Sequence, residues 1–552
     1  MDTSTIVRIL TSYADLLEIA GENVFRAQAY RRAADALEAL GEPLESADEG
    51  FLLTLPGVGP GTAAAIREII DTGRLAALDE LLQRVPESLL TLLDISGVGA
   101  KTAGRLYREL GVTSLVELRQ AAESGRVRAL KGFGAKQEQR ILDGIAFLQS
   151  RDDRLNIGEA LPTAELIAAL LSERLDTRVA IAGSVRRGKE TVGDLNLVAL
   201  AQDATRVGVA LAALPELAQV EPSAPDLLQA TLPNGVPVRL ALTGPDRFGT
   251  ALVRWTGSRA HVEQLVARFG ELPTAPDEES LYASLGLSWI PPELRQGQDE
   301  IELAAEHRLP NLITVQDLRG DLHLHSNWSD GHATIEQLAE AAVARGYQYL
   351  SISDHSDALV VANGLSIERL RAQWRLIDEV NQRVPGVRLL RAAEVEVRRD
   401  GSLDYPDQVL AQLDLVVASL HSGLRASREE LTRRIVRVLC NPHVDIVAHP
   451  TGRIVGHRPE AEYDWDEVFR VARETGTALE INANPSRQDL KDTLARAAND
   501  AGVRLAIDSD AHNLPSLDLV SYGVGLARRA GIETHAVVNA QPLPDLLTWL
   551  QR

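Results

Sequence analysis

The chain is predicted to be multidomain, with three architectures in succession: an all-α N-terminal region, an α+β middle and a C-terminal α/β barrel of seven strands. Three observations predict this. A Gly-apolar-Gly motif recurs three times in the first 150 residues, each copy ahead of a helical pattern. Strand-like and turn-rich stretches then mix over 151–316. From residue 317 onward, seven short apolar runs alternate with helical patterns, which implies parallel strands in a closed or nearly closed barrel.

Bulk properties set bounds on function. The chain has 552 residues, 45% of them hydrophobic and 24% charged, an ordinary globular composition with length for three or more domains. Its net charge is −21, and each of the three regions is acidic. Bulk charge therefore does not announce nucleic-acid binding, and any DNA contact must be local. Part of the acidity after residue 317 is carboxylate that bound cations would neutralise. The one cysteine, Cys440, excludes an internal disulfide and fits a reducing cytoplasm. The Met1–Thr5 start carries no basic segment followed by an apolar core, so no signal peptide is expected. No apolar run approaches the ~18 residues of a membrane span, and no membrane partner is expected.

The first 50 residues read as helices, and Phe25–Ala34 has helical periodicity with a basic face. The repeated motif follows as Leu55-Pro56-Gly57-Val58-Gly59-Pro60-Gly61, Ile95-Ser96-Gly97-Val98-Gly99-Ala100-Lys101 and Leu130-Lys131-Gly132-Phe133-Gly134-Ala135-Lys136. Each turn exposes backbone N–H groups at a helix N-terminus, a ready anion site. Three copies look like helix-hairpin-helix elements that grip a nucleic-acid backbone without reading sequence. The candidate DNA contacts are Gly57, Gly59, Gly61, Gly97, Gly99, Lys101, Gly132, Gly134 and Lys136. The plainer alternative is three tight turns between packed helices.

In the middle region Val179–Ala182 reads as a strand running into Gly183-Ser184-Val185-Arg186-Arg187-Gly188, and Thr191–Val198 as the next. Residues 247–316 are mixed, with turns around Pro273–Asp277 and Pro291-Pro292. In the last region the seven runs lie near 320–325, 348–354, 387–397, 413–420, 444–449, 477–482 and 503–509. Their ends carry Asp321, His323, His325, Asp330, Asp354, His355, His421, His449, Asp508, Asp510 and His512, while Glu394 falls inside its run. In a strand His323 and His325 point to the same face. Imidazoles with carboxylates and no thiol suit Zn²⁺, Mn²⁺ or Fe²⁺. A lone histidine is usually a surface or core residue, but so many at repeated strand ends are hard to explain that way.

Taken together, these motifs resemble the bacterial family-X DNA polymerases with a fused polymerase-and-histidinol-phosphatase (PHP) domain. The resemblance covers nearly the whole chain. It is carried by the Gly-Val-Gly hairpins, Gly183-Ser184-Val185-Arg186-Arg187 with Gly193-Asp194, and Trp255-Thr256-Gly257-Ser258. Leu285-Gly286-Leu287, Ile290–Arg295 and the His323-to-His512 series complete it. It implies a helical lyase-like domain over 1–84, a fingers-like helix-hairpin-helix domain over 85–150, a nucleotidyltransferase palm over 151–246, a thumb over 247–316 and a PHP barrel over 317–552. It further implies a trinuclear centre, typically with Mn²⁺, that removes nucleotides or blocked ends from DNA 3′ termini. The nine implied ligands are His323, His325, Asp330, His355, Glu394, His421, His449, Asp510 and His512, with Asp510, His355 and Arg453 assigned to catalysis. Arg453 or Arg487 could clamp phosphate, and either could equally sit in a surface ion pair. In the palm, Gly183, Ser184, Arg187, Gly193 and Asp194 are the implied nucleotide-binding residues, and Asp194 the implied metal ligand.

Three positions depart from the family pattern, two in the palm and one in the lyase-like domain. The palm's paired aspartates read Asp194-Leu195-Asn196, and the third carboxylate position is Arg239. With one carboxylate of three left, two Mg²⁺ or Mn²⁺ ions are not expected to be held there. The lyase lysine position reads Ala65, and 1–100 contains no lysine, so Schiff-base chemistry is not expected. The expected protein is thus a cytoplasmic, nucleoid-associated DNA-repair nuclease. It would be a monomer acting on gapped, nicked or 3′-recessed ends, with a palm that binds DNA or dNTP but polymerises weakly or not at all. The alternatives are a working Mn²⁺-dependent gap-filling polymerase, a small-molecule phosphatase and a non-catalytic DNA-end scaffold.

Overall fold

Apolar residues at helical spacing build the N-terminal unit. In the helix Thr3–Ala20, Ile6, Leu10, Tyr13 and Leu17 are buried, and in Val24–Leu40 so are Ala27, Tyr30, Ala33 and Leu37. The two helices lock together through an edge-to-face contact of Tyr13 with Tyr30, with ring centroids 4.8 Å apart. These features come from a computed structural model that describes residues 3–40, 48–95, 98–149 and 154–551. It divides into two compact units, Met1–Asp152 with Gly456–Arg458, and Asp153–Val455 with Pro459–Arg552.

In the first unit the chain reverses at Gly57 (φ +80°) and Gly132 (φ +85°), left-handed conformations in which a Cβ would be strained. Helices Pro60–Thr72, Ala100–Leu110 and Ala135–Gln149 follow the three motifs. One apolar cluster runs from Ile6 to Ile145 and holds Leu81, Val85 and Leu89 together. The expected boundary between 84 and 85 therefore lies inside a shared core.

The second unit begins with strands β1 (Leu155–Asn156), β2 (Val179–Ala182), β3 (Thr191–Val192), β4 (Leu195–Leu200), β5 (Ala218–Ala224), β6 (Leu227–Thr231) and β7 (Pro237–Thr243). β1 pairs with β3, and the others form a five-stranded sheet of order β2-β4-β7-β6-β5. β4 and β7 are parallel, which sets Asn196 opposite Arg239. Helices Ile157–Leu175 and Ala204–Ala212 cover one face of this sheet. On the other face, Phe248 and Leu252 of helix Phe248–Thr256 pack against Ala182, Val198 and Ala241. That helix thus rests on the palm sheet, although the expected boundary at 246/247 assigned it to the thumb; it spans the join, because Val253 belongs to the next cluster.

The barrel strands are β8 (Gly320–Asp321), β9 (Tyr349–Ile352), β10 (Arg388–Glu396), β11 (Leu415–Ser419), β12 (Ile446–Ala448), β13 (Ala478–Asn482) and β14 (Leu505–Asp508). They pair in sequential order, all parallel, as the alternating pattern predicts. Residues of one parity (Tyr349, Leu390, Ala392, Leu415, Val417, Ile446, Ala448, Ala478 and Ala506) form an inner cluster that Leu546 of helix Leu543–Leu550 joins. Residues of the other parity pack outward against the helices. The expected strand over 320–325 is shorter: its ladder stops at Asp321. Beyond it the chain bonds across the seam to the end of β14 through Leu322 N to Asp508 Oδ1 (2.8 Å), His325 N to Ala511 O (2.8 Å) and Asp510 N to His323 O (2.9 Å).

The middle region and the barrel belong to one unit, and arginine ion pairs tie them. Arg453 Nη2 lies 2.5 Å from Glu190 Oε2 of the palm, and Arg528 Nε donates to Glu293 Oε1 of the thumb at 2.6 Å. Among the described residues, no helix is long and apolar enough to cross a membrane.

Candidate metal centre

The inner parity of each barrel strand changes character along its length. It is apolar at the N-terminal end and turns polar at the C-terminal end, where Leu390 and Ala392 give way to Glu394 and Glu396, Val417 to Ser419 and His421, and Ala478 to Glu480 and Asn482. Parallel strands bring these ends to one rim. All nine ligand candidates meet there, including Glu394, whose place the sequence left open.

The side chains converge in three overlapping groups, each with ligand atoms within 4.8 Å of one another: His325, Asp330, His355 and His512; His323, Glu394 and His449; and His323, His325 and Asp510. His421 Nε2 joins at 3.4 Å from Glu394 Oε1. His449 and Asp510 both take positive φ (28° and 53°), rare for non-glycine residues and typical of over-determined functional positions.

The donor set fits divalent cations. His323 Nε2, both ring nitrogens of His325, His449 Nδ1 and Glu394 Oε2 are buried and make no hydrogen bond. Buried polar atoms without partners are costly unless something such as a cation uses them. Imidazole nitrogens with carboxylate oxygens and no thiol select borderline to hard divalent ions. The electrostatics agree. Burial, then neighbouring His355 and His512, push His325 down to about 3, and burial with Arg487 pushes His449 down to about 3, so both imidazoles are neutral and able to ligate. Against the cost of burial, Glu480, Glu394 and Asp510 raise His323 well above its usual value, and Glu394 and Asp330 raise His355 to about 10. The carboxylates thus demand positive charge, which protons supply here and metal ions would displace.

A second layer of carboxylates, of which the sequence analysis missed Glu396 and Glu480, supports the rings and the loop beside them. Glu480 Oε1 accepts from His323 Nδ1 at 2.6 Å, and Glu396 Oε2 from His421 Nδ1 at 2.7 Å, leaving each Nε2 turned inward. Asn482 Nδ2 donates to Asp510 Oδ2 at 3.1 Å. Asp354 accepts from Ser326 N (2.9 Å), Ser326 Oγ, Ser329 Oγ and Gln373 Nε2, so it braces the loop carrying Asp330. The alternate spacing Glu394/Glu396 and Glu480/Asn482 was the available signal.

The two arginines separate. Arg453, assigned to catalysis from sequence, is buried and donates to the carbonyls of Arg487 and Gln488 as well as pairing with Glu190. Its guanidinium is thus engaged at the join between the barrel and the Glu190 segment and not turned to the rim by these contacts. Arg487 instead faces the centre, with Nε 3.4 Å from Asp510 Oδ2 and Nη1 buried without a hydrogen bond.

In the palm, Arg239 forms an ion pair with Asp194, so the one remaining carboxylate already has a cation. Arg187 is buried, donates to Thr256 O at 2.6 Å and is pushed down to about 10 by burial and then Arg529. Its Nη1 is thus taken up by the Thr256 carbonyl, while its Nε is buried without a hydrogen bond. Gly183 and Ser184 open the short helix Gly183–Arg186, and Gly193 precedes β4. In the first unit Gly61, Lys101, Gly132, Gly134 and Lys136 are exposed, and Gly59, Gly99 and Gly134 directly precede helices. Gly97 lies outside the described residues.

Comparisons with known proteins align with this layout. Residues 1–75 match a helix-hairpin-helix domain, 49–110 and 89–146 a SAM-like helix-hairpin-helix tandem, and 321–484 a PHP domain. The PHP match ends before Asp510 and His512. Over 572 aligned residues the chain is 39% identical to "DNA polymerase/3′-5′ exonuclease PolX" of Bacillus subtilis (strain 168), covering 100% of both. It is also 30% identical over 233 residues to a "probable phosphatase" of Thermoanaerobacter sp. (strain X514), covering 40% of this chain and 89% of that one. A "probable phosphatase" of Acetivibrio thermocellus is 34% identical over 216 residues, 37% of this chain and 81% of that one.

Proposed function

This chain belongs to the family of the DNA polymerase/3′-5′ exonuclease PolX, and we propose that its principal catalyst is the barrel centre, which removes nucleotides from DNA 3′ ends. The observation that carries this reading is the contrast between the two sites. Nine candidate ligand side chains converge in the barrel, whereas the palm keeps Asp194 alone and pairs it with Arg239. The phosphatase names of the shorter relatives, which align with the barrel part of the chain, support phosphoester hydrolysis there.

The three groups would hold three divalent ions, Mn²⁺ or Zn²⁺ or Fe²⁺. Bound divalent ions supply Lewis acidity and activate water for attack on a phosphodiester. The chain's own residues do the rest. Glu480 and Glu396 keep the protons of His323 and His421 on Nδ1. Arg487 offers a partly exposed guanidinium beside Asp510, its Nη1 buried without a hydrogen bond, suited to a charge-assisted bond with a phosphate oxygen. Asp510 and His355 line the same rim and would contact the reacting phosphate. Gapped, nicked or 3′-recessed DNA would be held by the exposed hairpin turns, with the phosphate backbone as the contact. The protein would act as a monomer in the cytoplasm.

The test is a 5′-labelled primer on a longer template with Mn²⁺, with and without four dNTPs. Products shorter than the primer in both conditions, lost in His323→Ala and Asp510→Ala, are expected. Degradation that survives both substitutions would refute the reading. The full-length identity to a polymerase favours a second reading, in which the palm still extends primers; it requires longer products abolished by Asp194→Ala.

A further inference from the structure

The two most exposed large apolar side chains among the described residues are neighbours: Val361 at 92% and Val360 at 83% exposure. They crown a loop, residues 357–364, that leaves the metal centre and returns to it. Ser356 N donates to Glu394 O at 2.9 Å, and Leu365 N closes the loop on His355 O at 2.8 Å. Asn363 Nδ2 reaches across to Trp328 O (3.1 Å) and Ser329 O (3.3 Å), beside Asp330. The foot thus stands on the segments bearing His355 and Asp330.

The loop is rigidly built. Arg369 Nη1 donates to Asn363 O (2.9 Å) and Gly364 O (3.2 Å), and Ala358 N to Asp404 Oδ2 (2.8 Å). At Gly364 a Cβ would lie 2.0 Å from Ser356 O, so only glycine allows the closure. A single-turn 3₁₀ helix over Val360–Ala362 then holds both valines outward. Isolated exposed valines need no explanation, but an adjacent pair at the apex of a braced loop rooted beside the candidate ligands is a presented surface.

Its chemistry selects the occupant. Residues 357–364 contain no lysine or arginine and one acid, Asp357, so the tip suits an uncharged face and repels a phosphate. Beside a centre that cleaves 3′ ends, the uncharged face at hand is a nucleobase. Apolar side chains are the usual wedge between base steps, where they unstack DNA. We propose that Val360 and Val361 wedge against the terminal base pairs of a duplex and hold the 3′ strand unpaired, so that its end can enter the rim. The loop then determines whether paired ends are substrates.

This inference rests on the barrel being the nuclease, and the experiment separates the two claims. The full-length protein and a Val360→Ser/Val361→Ser variant are assayed with Mn²⁺ on bis(p-nitrophenyl) phosphate, on a single-stranded 5′-labelled oligonucleotide, and on the same strand in a blunt duplex. The variant is expected to match the parent on the first two and to lose on the order of tenfold on the duplex. Val361→Phe, which keeps an apolar wedge, is expected to retain duplex activity. Unchanged duplex activity in the double-serine variant, or an equal loss on single and double strands, overturns the wedge. A parent inactive on all three substrates overturns the barrel assignment and takes this inference with it.

Discussion

Glu480 is the most informative carboxylate to neutralise, because it touches the centre only through hydrogen bonds. In Glu480→Gln the shape is kept, but one oxygen becomes an amide nitrogen. Glu480 Oε1 accepts from His323 Nδ1 (2.6 Å), and Oε2 accepts from His449 N (2.5 Å) and Asn482 Nδ2 (3.2 Å). If the glutamine oxygen faces His323, its NH₂ opposes two other donors, leaving His449 N buried and unpaired and Asn482 Nδ2 with Asp510 alone. If it faces His449, the NH₂ forces His323 to accept at Nδ1 and to carry its proton on Nε2, the nitrogen that points toward Glu394 and Asp510. Either orientation damages the site. A lost orienting carboxylate typically costs about 10–100-fold in metal affinity, roughly 1.4–2.8 kcal/mol. The assay is exonuclease rate against Mn²⁺ concentration, with binding followed in parallel by calorimetry. The half-saturating Mn²⁺ concentration is expected to rise by that factor while the rate at saturation falls less. Half-saturation unchanged within twofold would refute the tautomer argument.

Three further outcomes are expected. In a nuclease-dead His323→Ala background, Arg239→Asp with Asn196→Asp should restore three palm carboxylates and raise primer extension at least about tenfold over its parent; a parent that extends equally well shows that Arg239 does not silence the palm. Arg453→Ala should lower unfolding free energy by about 3 kcal/mol, the usual cost of breaking a buried pair, with the KM for DNA unchanged; a raised KM without lost stability would return Arg453 to phosphate binding. Glu278 is held at about 2, where burial would raise it but hydrogen bonds from Arg186 and Arg295 prevail. Its folded pKa lies below the ordinary 4.5, so its stabilisation is present above pH ~4.5 and lost as pH falls towards 2. It amounts to about 3 kcal/mol, and Glu278→Gln should flatten that acid limb in urea titrations from pH 5 to 2.5.

The legible part of the molecule was the part whose chemistry needs short-range spacing. His323 and His325 share a face because two residues separate them, and strand ends meet because parallel barrels align them. The hairpins were legible because a left-handed turn such as that at Gly57 calls for glycine. Glu396 and Glu480 were not read as orienting groups: the alternate spacing of Glu394/Glu396 and Glu480/Asn482 marks a shared face, but the role of each acid appears only once the fold brings it to His421, 25 residues away, and to His323, 157 residues away. Arg453 and Arg487 could not be ranked, because the choice depends on Glu190, 263 residues from Arg453 in the chain. The helix at the expected 246/247 boundary could not be placed for a similar reason: Phe248 and Leu252 find their apolar partners on the preceding sheet, and Val253 on the following cluster.

The seam of the barrel bears on synthesis. Leu322 and Asp508 bond across 186 residues, and the backbones of His323 and Asp510 bond beside them. A growing chain that has made β8 must therefore wait for β14 before the ring can close, and long-range closures of this kind form slowly. Until then β8 is an unpaired edge, open to wrong pairing with other chains. Ions captured early would find only part of their coordination sphere. The centre is thus completed after translation of β14, which makes metal loading a maturation step of the finished chain.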